Sequence, residues 1–211
     1  FEPTTRKWTS LTAAPWNCGG ALLSSKVGTK AVVFSGARVA VYDDAANTWT
    51  VGADNPKKVG GSGTITLADG RILFVGGNDG LRNFTTSQLY DPATNTWTNS
   101  GDIFFPRFAS RLYTLSSGKI LSMGGWSGVG NIISSVELYD PTTGTWSKEP
   151  DAPMGNDYSF AMGTDHVFTA RSDGTYDVYD AVGKRWTSLP ASSPGRGAFG
   201  FVALDATHAL A

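Results

Sequence analysis

An aromatic residue and a tryptophan recur seven positions apart, five times along the chain: Phe1 and Trp8, Tyr42 and Trp49, Tyr90 and Trp97, Tyr139 and Trp146, Tyr179 and Trp186. An acid follows the first aromatic each time, as Glu2, Asp43, Asp91, Asp140 and Asp180. The tryptophans are spaced by 41, 48, 49 and 40 residues. Self-similarity at such a period means that one supersecondary unit is used repeatedly. It also assigns the most prominent residues to packing before any other role is considered, because a repeated residue serves a repeated contact.

The two clearest copies define the unit. Ser62 to Ala68 is a short β-rich run, Asp69-Gly70 a turn, and Ile72 to Val75 a second run that ends at Gly76-Gly77. A polar loop leads to Gln88-Leu89-Tyr90, a turn at Asp91 to Asn95, and a fourth run around Trp97. The next copy runs from Leu112 to Gly125 and then from Val136 to Trp146. Short β-branched and aromatic runs punctuated by Gly, Asp-Pro and Asn read as strands joined by tight turns. Four such strands in 40 to 50 residues is the pattern of a propeller blade. No stretch has helical periodicity.

With Gly-Gly after the second strand, Tyr-Asp-Pro after the third and Trp in the fourth, the units resemble kelch repeats. The likeness covers the whole chain and is sharpest in two units; Ser35-Gly36 and Ala170-Arg171 replace the diglycine elsewhere. It implies an all-β, kelch-type β-propeller of four-stranded antiparallel blades. The chain is expected to form a single domain over residues 1–211, with repeats at about 9–49, 50–97, 98–146 and 147–186. A partial fifth blade falls in 187–211 together with 1–8. Either these ends close a five-bladed ring, or the chain is a sector of a larger propeller. The opening at Phe1, without Met, fits a processed or trimmed product.

Composition agrees. The chain of 211 residues has 26 glycines and 17% charged residues, as turns and few solvated helices require. A net charge of −1 argues against a nucleic-acid partner, which would call for a basic excess. No apolar run reaches the roughly 18 residues of a membrane span. One cysteine, Cys18, allows no intrachain disulfide. Low Lys and Glu content with abundant Thr, Ser, Gly, Asn and Trp points to an extracellular or cell-surface protein.

In this topology the turns between first and second strands share a face with those between third and fourth, and both sets are short and repetitive here. The opposite face carries the loops between second and third strands and the linkers between blades. These are long and differ from blade to blade, and variable loops on a rigid scaffold are where function is grafted. The candidate ligand-binding residues there are Trp16 and Asn17; Asn78, Asp79 and Arg82; Arg107 and Phe108; Trp126; Asn156, Asp157 and Tyr158; and Arg196. Aromatic planes would cover the C–H face of a sugar, and amides and charges would answer its hydroxyls. The same residues would serve a peptide or protein ligand, or else pack on one another and plug the channel.

The repeats also resemble the propellers of galactose oxidase and glyoxal oxidase. That likeness implies a copper-radical site built from two His, Tyr ligands and a Cys joined to one Tyr. Cys18 stands just before a first strand, much where that family has its Cys. The match then departs. Residues 57–63 (KKVGGSG) and the Arg107-Phe108-Ala109 segment lack the Tyr, and His166 and His208 fall in first hairpin turns on the other face. Copper needs imidazoles that converge on one point. The chain therefore reads as a binding module with no catalytic residues, metal ligands or cofactor of its own; the alternative is part of an oxidase whose ligands lie in other chain. A structural scaffold is a third possibility.

Overall fold

In the computed structural model, residues 4–16, 22–128, 131–153, 158–170, 175–189, 202–203 and 209–210 are described; 22–25, 158, 202–203 and 209–210 are described by backbone only. No described residue is helical, and no helix is long and apolar enough to cross a membrane. Four antiparallel sheets of four strands each follow one another along the chain. The first contains β1 (Leu22–Val27), β2 (Lys30–Ser35), β3 (Arg38–Asp43) and β4 (Thr48–Val51). The second contains β5 (Gly63–Thr66), β6 (Ile72–Val75), β7 (Ser87–Asp91) and β8 (Thr96–Ser100). The third contains β9 (Arg111–Thr114), β10 (Ile120–Met123), β11 (Val136–Asp140) and β12 (Thr145–Glu149). The fourth contains β13 (Tyr158–Met162), β14 (His166–Ala170), β15 (Tyr176–Asp180) and β16 (Arg185–Leu189). A short hairpin of β17 (Val202–Ala203) and β18 (Ala209–Leu210) follows. Within each sheet the strands lie in sequence order, and β5 touches both β1 and β9, which in turn touches β13. First strands are therefore innermost and fourth strands outermost, as in propeller blades.

The apolar pattern explains the stacking. All four residues of β6 (ILFV) and of β10 (ILSM) are buried, because a second strand has a blade on either side. Alternation sends Ile72 and Phe74 toward the first blade, where they join Val32, Phe34 and Val39, while Leu73 and Val75 join Ile120, Tyr139 and Trp146 of the third. Leu121 and Met123 repeat the arrangement toward Val167 and Tyr179. The core is thus a series of seams between blades. Outer strands such as β8 (TWTNS) are mostly solvated and polar.

Each Tyr-to-Trp segment is the expected third-to-fourth strand hairpin. Tyr42 pairs with Trp49, Tyr90 with Trp97, Tyr139 with Trp146 and Tyr179 with Trp186. The ring centroids in these pairs lie between 4.9 and 5.1 Å apart. The acid caps its own turn: Asp91 Oδ1 accepts from Ala93 N–H at 2.8 Å, and Asp180 Oδ1 from Gly183 N–H at 2.9 Å. In the third blade Thr142, through side chain and backbone, and then Lys119 hold the Asp140 carboxyl down to about 2. The fifth residue after Tyr is left-handed in all four hairpins: Asn47, Asn95, Gly144 and Lys184 have φ of 50°, 58°, 69° and 51°. Where it is Asn, its Oδ1 takes the Tyr hydroxyl at 2.9 Å. Where it is not, the hydroxyl turns to the preceding blade, Tyr139 to Ser100 Oγ at 2.7 Å and Tyr179 to Glu149 Oε2 at 2.9 Å. Trp8 departs from its repeat: it is 83% exposed, and its pair, Phe1, lies outside the described residues.

Candidate functional site

The diglycine after the second strand builds the loop-rich face. Gly76 has φ of 63° and Gly77 of 114°. A Cβ on Gly76 would stand 2.1 Å from the Arg107 carbonyl oxygen, and Gly77 N–H donates to that oxygen at 2.8 Å. Only glycine lets the linker of the third blade lie directly on the second. The next residues pair as bridges. Gly60 and Asn78 exchange both main-chain hydrogen bonds, and Phe108 and Trp126 do the same one blade further on. Second-to-third strand loops and blade linkers therefore do meet on one face. Asp69-Gly70 and Asp91 to Ala93 wall a small cleft of their own, so the two kinds of short turn share the other face.

On the loop-rich face an open cleft of about 930 Å³ lies between the second and third blades. Asn78 and Arg82 line it from the loop after β6, Phe108 from the linker before β9, and Trp126 from the loop after β10. Asn78 Nδ2 donates to Asn83 Oδ1 at 2.6 Å, and Asn83 Nδ2 donates across to the Trp126 carbonyl at 2.7 Å, locking one loop to the other. The Arg82 side chain is 75% exposed, and its guanidinium lies 4.9 Å from the Phe84 ring centroid. Trp126 is 37% exposed.

The remaining candidates divide. Asp79 stiffens the loop: its Oδ1 accepts from Leu81 and Arg82 N–H, both at 2.9 Å, and these bonds hold its carboxyl below the usual carboxylate range. Arg107, expected to offer donors to a ligand, is fully buried instead. Its guanidinium donates to Glu137 Oε1 at 2.5 Å, to the carbonyls of Ser135 and Gly124 at 3.0 and 3.2 Å, and to Ser135 Oγ. Burial pushes its pKa down and Glu137 opposes that shift. A guanidinium so enclosed has no edge left for a ligand, so Arg107 is an anchor rather than a contact residue. Trp16 is half-buried, 5.8 Å from the Arg38 guanidinium, and does not line this cleft. Tyr158 begins β13 and pairs with Ala170; Asn17, Asn156, Asp157 and Arg196 lie outside the described residues.

Sequence reasoning passed over Leu81 and Pro106, both in the cleft wall. Leu81 is 94% exposed. Its signal was a lone aliphatic residue among Asn78, Asp79, Gly80, Arg82 and Asn83, where a solvated loop would carry none.

The copper-radical set does not fit the residues described. His166 opens β14 opposite Asp180, at the register that pairs Lys30 with Asp43, so it stands on the short-turn face. Phe108 occupies a linker position where a Tyr ligand is wanted. Among the described residues no three His, Cys, Asp or Glu side chains gather; Cys18 and His208 lie outside them.

A family model for the kelch motif matches residues 114–153. No curated protein matches the chain. Among solved structures, the one described as "Structure of YjhT" superposes with a TM-score of 0.68 over 91% of this chain and 70% of that one, at 15% identity. At that identity the likeness speaks for the fold alone. With a kelch motif in its third blade, the same hairpin chemistry in the blades beside it, and four antiparallel four-stranded sheets stacked in sequence order, the chain is a kelch-type β-propeller.

Proposed function

We propose that the chain is a non-enzymatic binding propeller that presents its loop-rich face to a glycan or to a peptide or protein ligand. A kelch-type propeller supports a binding or scaffold role in general. The observation that carries the narrower reading is the convergence of Asn78 and Arg82 from one blade with Phe108 and Trp126 from the next on a single open cleft. A partly exposed Trp in a cleft lined also by Gly60, Gly61 and Gly80 is a surface that water covers poorly and a ligand covers well.

Glycan-array and peptide-display screens of the full chain, run in parallel on wild type and Trp126→Ala, test it. The main-chain bonds between Trp126 and Phe108 do not need the indole, so the variant should melt where the wild type does. Binding should fall about thirtyfold or more, as for a truncated hot-spot aromatic. Ligands that bind the variant as tightly as the wild type, or that map to the Asp69 and Ser117 turns, would refute the cleft.

A further inference from the structure

The cleft has spent most of its polar groups on itself. Asn78 Oδ1 accepts from Gly80 N–H at 2.5 Å, Asn78 Nδ2 and Asn83 Oδ1 hold each other, and Asn83 Nδ2 holds the Trp126 carbonyl. The main-chain groups of Gly60, Asn78, Phe108 and Trp126 are paired as bridges. A sugar presents hydroxyls around its whole rim and needs unspent donors and acceptors in the wall, since a polar group buried without a partner costs affinity.

What the wall does offer is apolar. Leu81 stands at the tip of a loop that Asp79 clamps from within, facing solvent almost completely. Trp126, Phe108 and Pro106 continue the surface. Immediately before Pro106, Phe104 and Phe105 are 49% and 41% exposed. They are not loose. The buried Glu137 carboxylate accepts their two N–H groups at 2.7 and 3.3 Å, and Arg107 grips that carboxylate from behind. Two cations lie beside these side chains: Arg82 lines the cleft, its Nε 3.8 Å from Asp79 Oδ2 and the rest of its guanidinium open, and Lys148 Nζ stands 5.0 Å from the centroid of each phenyl ring. Exposed apolar side chains on an anchored main chain are partly pre-organised for a partner, because the backbone needs no further ordering on binding.

We infer that the occupant is an extended peptide segment whose apolar side chains fill the cleft and lie over Phe104 and Phe105, and whose carboxylates meet Arg82 and Lys148. This rests on the binding reading above and narrows it from glycan or peptide to peptide. Random peptides displayed on phage, selected on the full chain beside a glycan array, test it. Selected peptides should combine Leu, Ile or Phe with Asp or Glu and bind more weakly as salt rises. Arg82→Gln, Lys148→Gln and Leu81→Ser should each weaken the best peptide by about fivefold or more, the cost of a significant interface residue. Glycan hits that require Trp126, with no peptide selected, would overturn the peptide and leave the cleft standing. Peptides without acidic enrichment, or indifferent to both Arg82→Gln and Lys148→Gln, would overturn the charge complementarity. Binding that survives Trp126→Ala would overturn the inference and the cleft together.

Discussion

Arg107 illustrates how much one side chain can settle. It reaches thirty residues along the chain to Glu137, and the pair is wholly enclosed. Removing one partner of such a pair strands the other charge and, here, frees the Ser135 and Gly124 carbonyls as well. Arg107→Ala should lower unfolding free energy by about 3–5 kcal/mol in urea titration. Arg107→Lys should recover only part, since an ammonium lacks the planar fork. A loss under about 1 kcal/mol would mean that the guanidinium is not the anchor described. The sequence could not announce this role. An arginine in a linker beside phenylalanines reads the same whether it faces solvent or turns inward. The clue was at the other end: Glu137 sits two residues before a repeat Tyr, inside a strand, where Gln88 and Asp177 also stand, and all three are buried. A polar residue at a core register implies a partner, but not which one: Gln88 and Asp177 find theirs on the next strand, in Asn99 and Ser188, while Glu137 takes Arg107 from the linker.

Elements were far more legible than side chains. Hairpins and the acids that open their turns follow from spacing, because those depend on near neighbours in the chain. The diglycine was legible as the mark that ends a second strand; what lies against it was not. Its purpose can be tested by contrast. Gly76→Ala places a methyl on the Arg107 carbonyl at positive φ, and should cost about 3 kcal/mol or more. Gly118→Ala, at φ of 78° in an open turn with nothing within 4 Å, should cost only about 1–2 kcal/mol. Equal losses in thermal or urea unfolding would contradict the account of Gly76. The left-handed position at Lys184 escaped sequence reading for a related reason. Gly183 stands beside it and invites the wrong register, although a Cβ on Gly183 would come 2.5 Å from Asp180 Oδ2.

The molecule as a whole is joined blade to neighbouring blade, so its stability is a sum of seams. One seam reports on alkali. Tyr113 on β9 donates to Ser159 Oγ on β13 at 2.7 Å, and burial pushes its phenol up to about 12. A folded pKa raised above the ordinary 10 gives stability that is complete below about pH 10 and is lost as pH rises toward 12. Burial also raises Tyr42, Tyr90 and Tyr179, so Tyr113→Phe should remove one contribution to that part of the stability profile, and a phenolate titration of the variant should show one late-ionising tyrosine fewer than the wild type. Profiles that coincide would refute the assignment. The outer seams have a direction. The indoles of the four blade hairpins donate backward along the chain: Trp49 to the Thr12 carbonyl, Trp97 to the Ala53 carbonyl, Trp146 to Ser87 Oγ and Trp186 to the Pro150 carbonyl. A polypeptide emerging from the ribosome has therefore already made the acceptor when each of these tryptophans is added. None of these four bonds waits for residues still to be translated, so the outer part of each seam can close as soon as its tryptophan is in place.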